Sequence, residues 1–241
     1  MAALLITATG CGNDDEPDVI TEPPVYNLQK SDAVEAVDLG LSVLWSSCNL
    51  GANSPTDYGG YFAWGDPTGA LWSGEGIGYN ENGYTWNTDN YGGKIPPNNI
   101  GGTDLDVVAV HWGDGWRMPS YNEMLELATK CHWTMLEQGG HSWYEVTGPN
   151  GNSIAIPIAG LYTDPTDDKH NRFLGGPAHV NSYAFYWTAD VSWKKSSLRG
   201  YDINPGVVTS WCVIWSGADG SCAFRDHVRA FHMSIRPVHD K

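Results

Sequence analysis

Apolar and polar residues alternate in short runs along most of this chain, and fall at helical spacing in one clear place. "AVDLGLSVLWSSCNLGA", residues 36–52, alternates in part and ends in turn residues, so it reads as a strand. "YGGYFAWGD", residues 58–66, reads as a short aromatic strand between glycines. Residues 67–102 are rich in Gly, Asn, Trp and Tyr without periodicity; they read as a long loop region with ordered aromatic anchors, of the kind usually kept for function or a packed insertion. Ser120-Tyr121-Asn122-Glu123 then matches a capping box, in which the Ser hydroxyl accepts the Glu123 N–H and the Glu carboxylate accepts the Ser N–H. Met124, Leu127, Ala128 and Cys131 follow on one face, with Leu125 beside them, which predicts a helix over 120–131. "SWYEVTGPNGNSIAIPIAG" predicts a β-hairpin, with runs 143–146 and 153–158 flanking a turn-rich centre. "SYAFYWTADV", "SWCVIWSG" and "AFHMSIRPV" are three more strand-like runs. Strands, one helix, then mostly strands is an α+β plan.

Composition narrows the class. The chain has 241 residues, 41% of them apolar, with 12 Trp, 12 Tyr and 29 Gly, which favours a loop-rich, aromatic-packed fold over a helical bundle. Its formal net charge is −15, with 13 Lys plus Arg. Such a surface is repelled by phosphate backbones and anionic headgroups, which argues against nucleic acid as a partner.

The first residues differ in character from the rest. Met1 to Ala8 is a short apolar run, too short to span a bilayer, followed by Ala8-Thr9-Gly10-Cys11. Small residues before a Cys resemble a bacterial lipobox, which implies a lipid on Cys11; one departure is that no Lys or Arg precedes the run. The bland reading is an irregular start with an incidental Cys. Between Asp14 and Asp38 lie eight acidic residues and one Lys, with Pro17, Pro23 and Pro24, so the segment reads as a solvated tether. The acidic "NDDEP" close after Cys11 resembles the surface-export signal of Bacteroidetes-type lipoproteins and implies the outer leaflet of the outer membrane. The expected organisation is a signal remnant at 1–10, a tether at 11–33 and one domain at 34–241.

The zinc-protease H-E-x-x-H, C-x-x-C, G-x-S-x-G and phosphate-loop patterns are absent from the sequence. Cys48, Cys131, Cys212 and Cys222 allow three pairings; Cys212–Cys222, across a hairpin-like turn, is preferred, and free buried thiols are the alternative. "WCVIWSGADGSC" is apolar and acidic, a poor setting for a reactive thiolate. Asp164, Asp167 and Asp168 could hold Ca²⁺, but read more simply as a solvated acidic turn. His111 with Asp114 resembles an acid–base pair, and more simply His111 packs or caps. No metal or cofactor is expected. Trp112 and Trp116 are expected to pack, and Arg117 to make a structural ion pair or carbonyl contact. The C-terminal third carries Trp193, Tyr201, Trp211, Trp215, Phe224, Arg225 and His227 among Ser and Gly. Aromatic and Arg side chains on adaptable loops suit recognition of a protein or glycan, the plainer alternative being that most of the Trp are core.

"VDLGLSVLWSSCNLGA", "YGGYFAWGD", "WRMPSYNEMLEL", "VTGPNGNSIAIPIAG", "YWT" and "SIRPV" resemble, in order, the motifs of the Fibrobacter succinogenes major paralogous domain, over residues 36–238. The resemblance implies a secreted or lipid-anchored bacterial domain with a C-type-lectin-like fold, distantly similar to formylglycine-generating sulfatase-modifying domains. Three positions depart from the family pattern: Glu123-Met124 at the helix start, Tyr186-Trp187-Thr188-Ala189, and His232 where the family has Gly. The calcium-sugar signatures of true C-type lectins are absent from the sequence, so the fold does not carry lectin activity with it. In lectin-fold proteins diversified by retroelements the C-terminal region is the variable ligand face, a role this chain could share. The expectation is therefore a non-catalytic surface lipoprotein that binds a host or bacterial surface protein or glycan. The alternatives are a formylglycine-generating-type enzyme and a component of a surface or fimbrial assembly.

Overall fold

The structure, a computed structural model, describes residues 26–69, 97–162, 177–192, 196–198, 201–203, 209–217, 220–229 and 231–241. It is sheet-rich α+β, with two helices among the described residues. Strands β1 (Ala36–Asp38), β2 (Leu44–Ser46) and β3 (Phe62–Ala63) come first. Helix α1 (Val107–Trp112), strand β4 (Trp116–Arg117) and helix α2 (Tyr121–Lys130) follow. Next are β5 (His132–Gln138), β6 (His141–Thr147), β7 (Ser153–Pro157), β8 (Leu161–Tyr162), β9 (Pro177–Ala178) and β10 (Ala184–Val191). The chain closes with β11 (Ser196–Leu198), β12 (Tyr201–Ile203), β13 (Thr209–Ser216), β14 (Ser221–Val228), β15 (His232–Met233) and β16 (Val238–His239).

The last strand returns to the first ones. β16 lies between β2 and β4, with Val238 opposite both Trp45 and Arg117. This closes the two ends of the domain into a base. Four further antiparallel units are present among the described residues: β5-β6-β7, β10-β13-β14, the short-stranded β3-β15-β8-β9 and the two-stranded β11-β12. β10 is buried on both faces. Ala184 and Tyr186 join a core made by α2, the β5–β7 sheet and the first hairpin. Phe185, Trp187, Ala189 and Val191 join a second core with Trp64, Trp112 and Trp116. Alternation with period two thus makes one strand the wall between two cores.

Local rules account for the helices. Ser120 caps α2 and receives the Glu123 N–H at 3.3 Å, while the Glu123 carboxylate accepts the Ser120 N–H at 2.7 Å. Met124 and Leu127 are buried beneath it; Leu125, expected beside that face, is exposed. Helix α1 was not expected from the pattern, because six residues are too few to display a periodicity. Its cap is Asp106, a fully buried carboxylate that accepts N–H groups from Gly102, Val108, Ala109 and Met118 at 2.8–3.3 Å. The second loop-to-core hub is Arg236. It is buried and donates to the carbonyls of Ser46 and Ala155, tying the first hairpin to β7.

The strand expected over 36–52 is a hairpin instead. Asp38 accepts the Gly40 N–H at 2.8 Å and Gly40 has φ 75°, which turns the chain back on itself. Leu39, Leu41 and Val43 in that turn still point inward, so the alternation runs on through residues that pair with nothing. The 143–158 hairpin forms as expected and gains a third strand, β5. His232 sits in β15 without positive φ, so a side chain is accommodated at that position.

Candidate ligand-binding surface

Five of the seven residues expected to bind ligand, Trp211, Trp215, Phe224, Arg225 and His227, lie on the terminal hairpin, β13–β14. Its register is continuous from Thr209↔Val228 to Ser216↔Ser221. The positions of Val213, Trp215, Cys222 and Phe224 fall on one face of it, those of Arg225 and His227 on the other. The first face docks onto the domain. Trp215 is fully buried, stacks on Trp133 with ring centroids 4.8 Å apart and meets Tyr186 edge-on at 5.7 Å. Phe224 is half-buried against the same core, its ring 4.6 Å from Tyr121 at the start of α2. The expectation for Trp215 is therefore corrected: strand alternation turns it inward, where it fastens the hairpin together with the half-buried Phe224.

The opposite face carries Arg225 and His227. Arg225 is exposed, and its guanidinium has a single long contact, 3.4 Å to the carbonyl of its own neighbour Phe224. The other described arginines are all engaged. Arg117 pairs with Glu123 at 2.7 Å and Asp240 at 2.8 Å; Arg229 is buried with its guanidinium 4.3 Å from the Trp64 ring centroid; Arg236 is buried among carbonyls. His227 is half-buried and meets Phe231 edge-on at 4.4 Å. An arginine beside an imidazole–phenyl pair offers planar donors and an aromatic edge on one face.

Tyr201 lies on β12 and Trp211 on β13; Trp193 and Cys11 fall outside the described residues, as do Asp164, Asp167 and Asp168. The preferred Cys212–Cys222 pairing is corrected. Cys212 is opposite Arg225 and Cys222 opposite Trp215, three residue pairs apart. At roughly 3.4 Å per residue that is about 10 Å along the hairpin, beyond the reach of a disulfide. The odd offset also puts the two positions on opposite faces of the sheet. Cys222 is a free thiol, as are Cys48 and Cys131. Burial pushes the Cys131 thiol up to about 11 and raises that of Cys222, the opposite of what a nucleophilic cysteine requires.

The stretch around 111–120 is scaffold. His111 Nε2 lies 3.0 Å from the Pro67 carbonyl, and Asp114 sits in a turn at φ 46°. Trp112 and Trp116 are buried and meet edge-on at 5.2 Å. Arg117 makes both of the contacts expected of it, the ion pairs above and a 3.2 Å bond to the Met118 carbonyl. β14 itself was not expected as a strand, although "SCAFRDHV" alternates after a Gly-rich turn and so carried the signal.

No family model matches the chain, and neither a curated protein nor a solved structure matches it. Among the described residues no helix is long and apolar enough to cross a membrane.

Proposed function

We propose that this chain is a bacterial surface lipoprotein whose C-type-lectin-like domain recognises a protein or glycan through the outer face of its terminal hairpin. The observation that carries the reading is Arg225. Among the described arginines it alone is exposed and not held by an ion pair, a ring or a buried carbonyl, on a hairpin whose other face is anchored by Trp215. Exposed arginine on a rigid strand is the side chain most suited to bidentate recognition of carboxylate, sulfate or hydroxyl pairs. The C-type-lectin-like assignment is supported by the return of β16 to the first hairpin, which brings the two ends of the domain together. The lipid on Cys11 and the outer-membrane location rest on the lipobox-like start.

The enzyme alternative loses support from the hairpin register, which separates Cys212 from Cys222. Glycan and bacterial-surface protein arrays probed with the full chain test the reading. Binding that is lost on Arg225→Ala and retained on Cys222→Ser is expected. Binding indifferent to Arg225 overturns the assignment of this face.

A further inference from the structure

A second concave feature lies away from the terminal hairpin, on the solvent face of the β5-β6-β7 sheet. It is a groove of about 270 Å³, with one wall formed by Glu35, Val37, Ser47 and Pro55 and the other by Trp143, Glu145, Ser153 and Ala155. Strand register explains the second wall. Tyr144 and Val146 point into the core, so Trp143 and Glu145 on β6 point outward, Trp143 beside Leu136 and Pro157 and Glu145 beside Thr134 and Ala155. The first wall is held by two bonds. Ser47 donates its N–H to the Glu35 carbonyl at 2.9 Å, and its hydroxyl accepts the Glu35 N–H at 3.0 Å.

This leaves three groups facing the groove without a use in the fold. The Glu35 and Glu145 carboxylates have no ion pair or hydrogen bond among the described residues, and the half-buried Trp143 lines the groove with them. Among the described residues no basic side chain lines the groove. Two carboxylates, one just before β1 and one on β6, and an indole converge on one requirement, a cation on an apolar stem. The ring quadrupole and both carboxylates attract the charge, and Val37, Pro55 and Ala155 cover methylenes. The groove is smaller than the roughly 300–1,000 Å³ of typical small-molecule sites, which suits a single long side chain better than an oligosaccharide.

We propose that this groove receives a lysine side chain of a partner polypeptide, a contact separate from the terminal hairpin. The chain's charge of −15 steers any basic partner towards it, so the test must separate the groove from general attraction. The full chain is titrated with a neutral-flanked lysine tripeptide, blocked at both ends, while the Trp143 indole N–H resonance is followed; Trp143→Phe assigns that resonance. A saturable shift is expected, absent with the acetyl-lysine tripeptide. Glu35→Gln with Glu145→Gln should weaken binding about tenfold or more, whereas Asp104→Asn with Glu137→Gln, the same charge removed elsewhere, should change it by less than about twofold. Both pairs are near-isosteric surface changes, so the folded spectrum is retained and binding is read directly. Equal shifts from the acetylated peptide, or equal weakening in the control pair, overturn the proposal. So does a neutral oligosaccharide that moves the resonance when lysine does not.

Discussion

The start of helix α2 and the terminal hairpin both present an arginine beside an aromatic cluster, and they use it in opposite ways. At α2, Arg117 reaches two carboxylates and a carbonyl, and one of those carboxylates is also the N3 member of the capping box. Its donors are satisfied by Met118 and by Glu123 six residues on, plus Asp240 near the end of the chain. On the hairpin, Arg225 has one long contact to its own neighbour. Burial pushes the Glu123 carboxyl up, yet the bonds from Arg117 and Ser120 pull it below the usual carboxylate range. Those interactions lock α2 onto the base. A motif rich in Gly, Asp, Arg and Trp is therefore scaffold when its polar groups face each other. A plain alternating strand becomes a candidate for binding when one of its polar groups faces nothing.

The largest effect should come from cutting the hairpin off its anchor. Trp215→Ala removes a fully buried indole stacked on Trp133 and should cost about 3–5 kcal/mol in urea unfolding. A loss below about 1 kcal/mol would show that the hairpin is not docked as described. Asp106→Ala comes next. It strips four N–H groups of their acceptor, two of them at the start of α1, and should cost about 3 kcal/mol, with Asp106→Asn recovering part of the loss. Glu123→Ala removes a helix cap and the partner of Arg117 together, for about 1–2 kcal/mol.

What could be read from the chain follows how local each feature is. The capping box at Ser120 and Glu123 and the turn between β6 and β7 are specified within a few residues, and both form as expected. The break at Gly40 was hidden because Leu39, Leu41 and Val43 keep a strand's alternation while serving as turn residues that fill the core. Trp215 was assigned to a ligand face for the same reason in reverse: composition marks a segment rich in Trp, but only the pairing with β10 decides which face is inside. The groove was invisible to sequence, since Glu35 and Glu145 are more than a hundred residues apart and neither belongs to a motif.

Acid should loosen the base. Burial raises the Glu126 carboxyl, but hydrogen bonds from Lys130 and from Ser42 outweigh it and hold it at about 2, against an ordinary value of 4.5. Glu123 is lowered as well. A carboxyl depressed in the folded state stabilises fully above its unfolded pKa, and that contribution is lost as pH falls through the folded value. Urea midpoints should therefore drop from about pH 4.5 towards 2, and Glu126→Gln should flatten part of that drop. A midpoint that is flat across the range would remove these contacts from the account of stability.

The smallest change in stability is expected where the largest change in binding is. Arg225→Ala deletes an exposed side chain whose one contact is 3.4 Å long, so unfolding should shift by no more than about 0.5 kcal/mol. If the outer face binds ligand, the same change should remove a charge-assisted donor from the interface and weaken affinity by about 2 kcal/mol or more. Arg225→Lys keeps the charge but loses the planar fork, so it should rescue little where recognition is bidentate and most of it where only charge matters. Arg117→Ala supplies the contrast. It should lower stability and, in the fraction that stays folded, leave affinity unchanged, because its guanidinium is already held by Glu123 and Asp240. A protein in which Arg225 affected stability and Arg117 affected binding would reverse the roles given to the two regions.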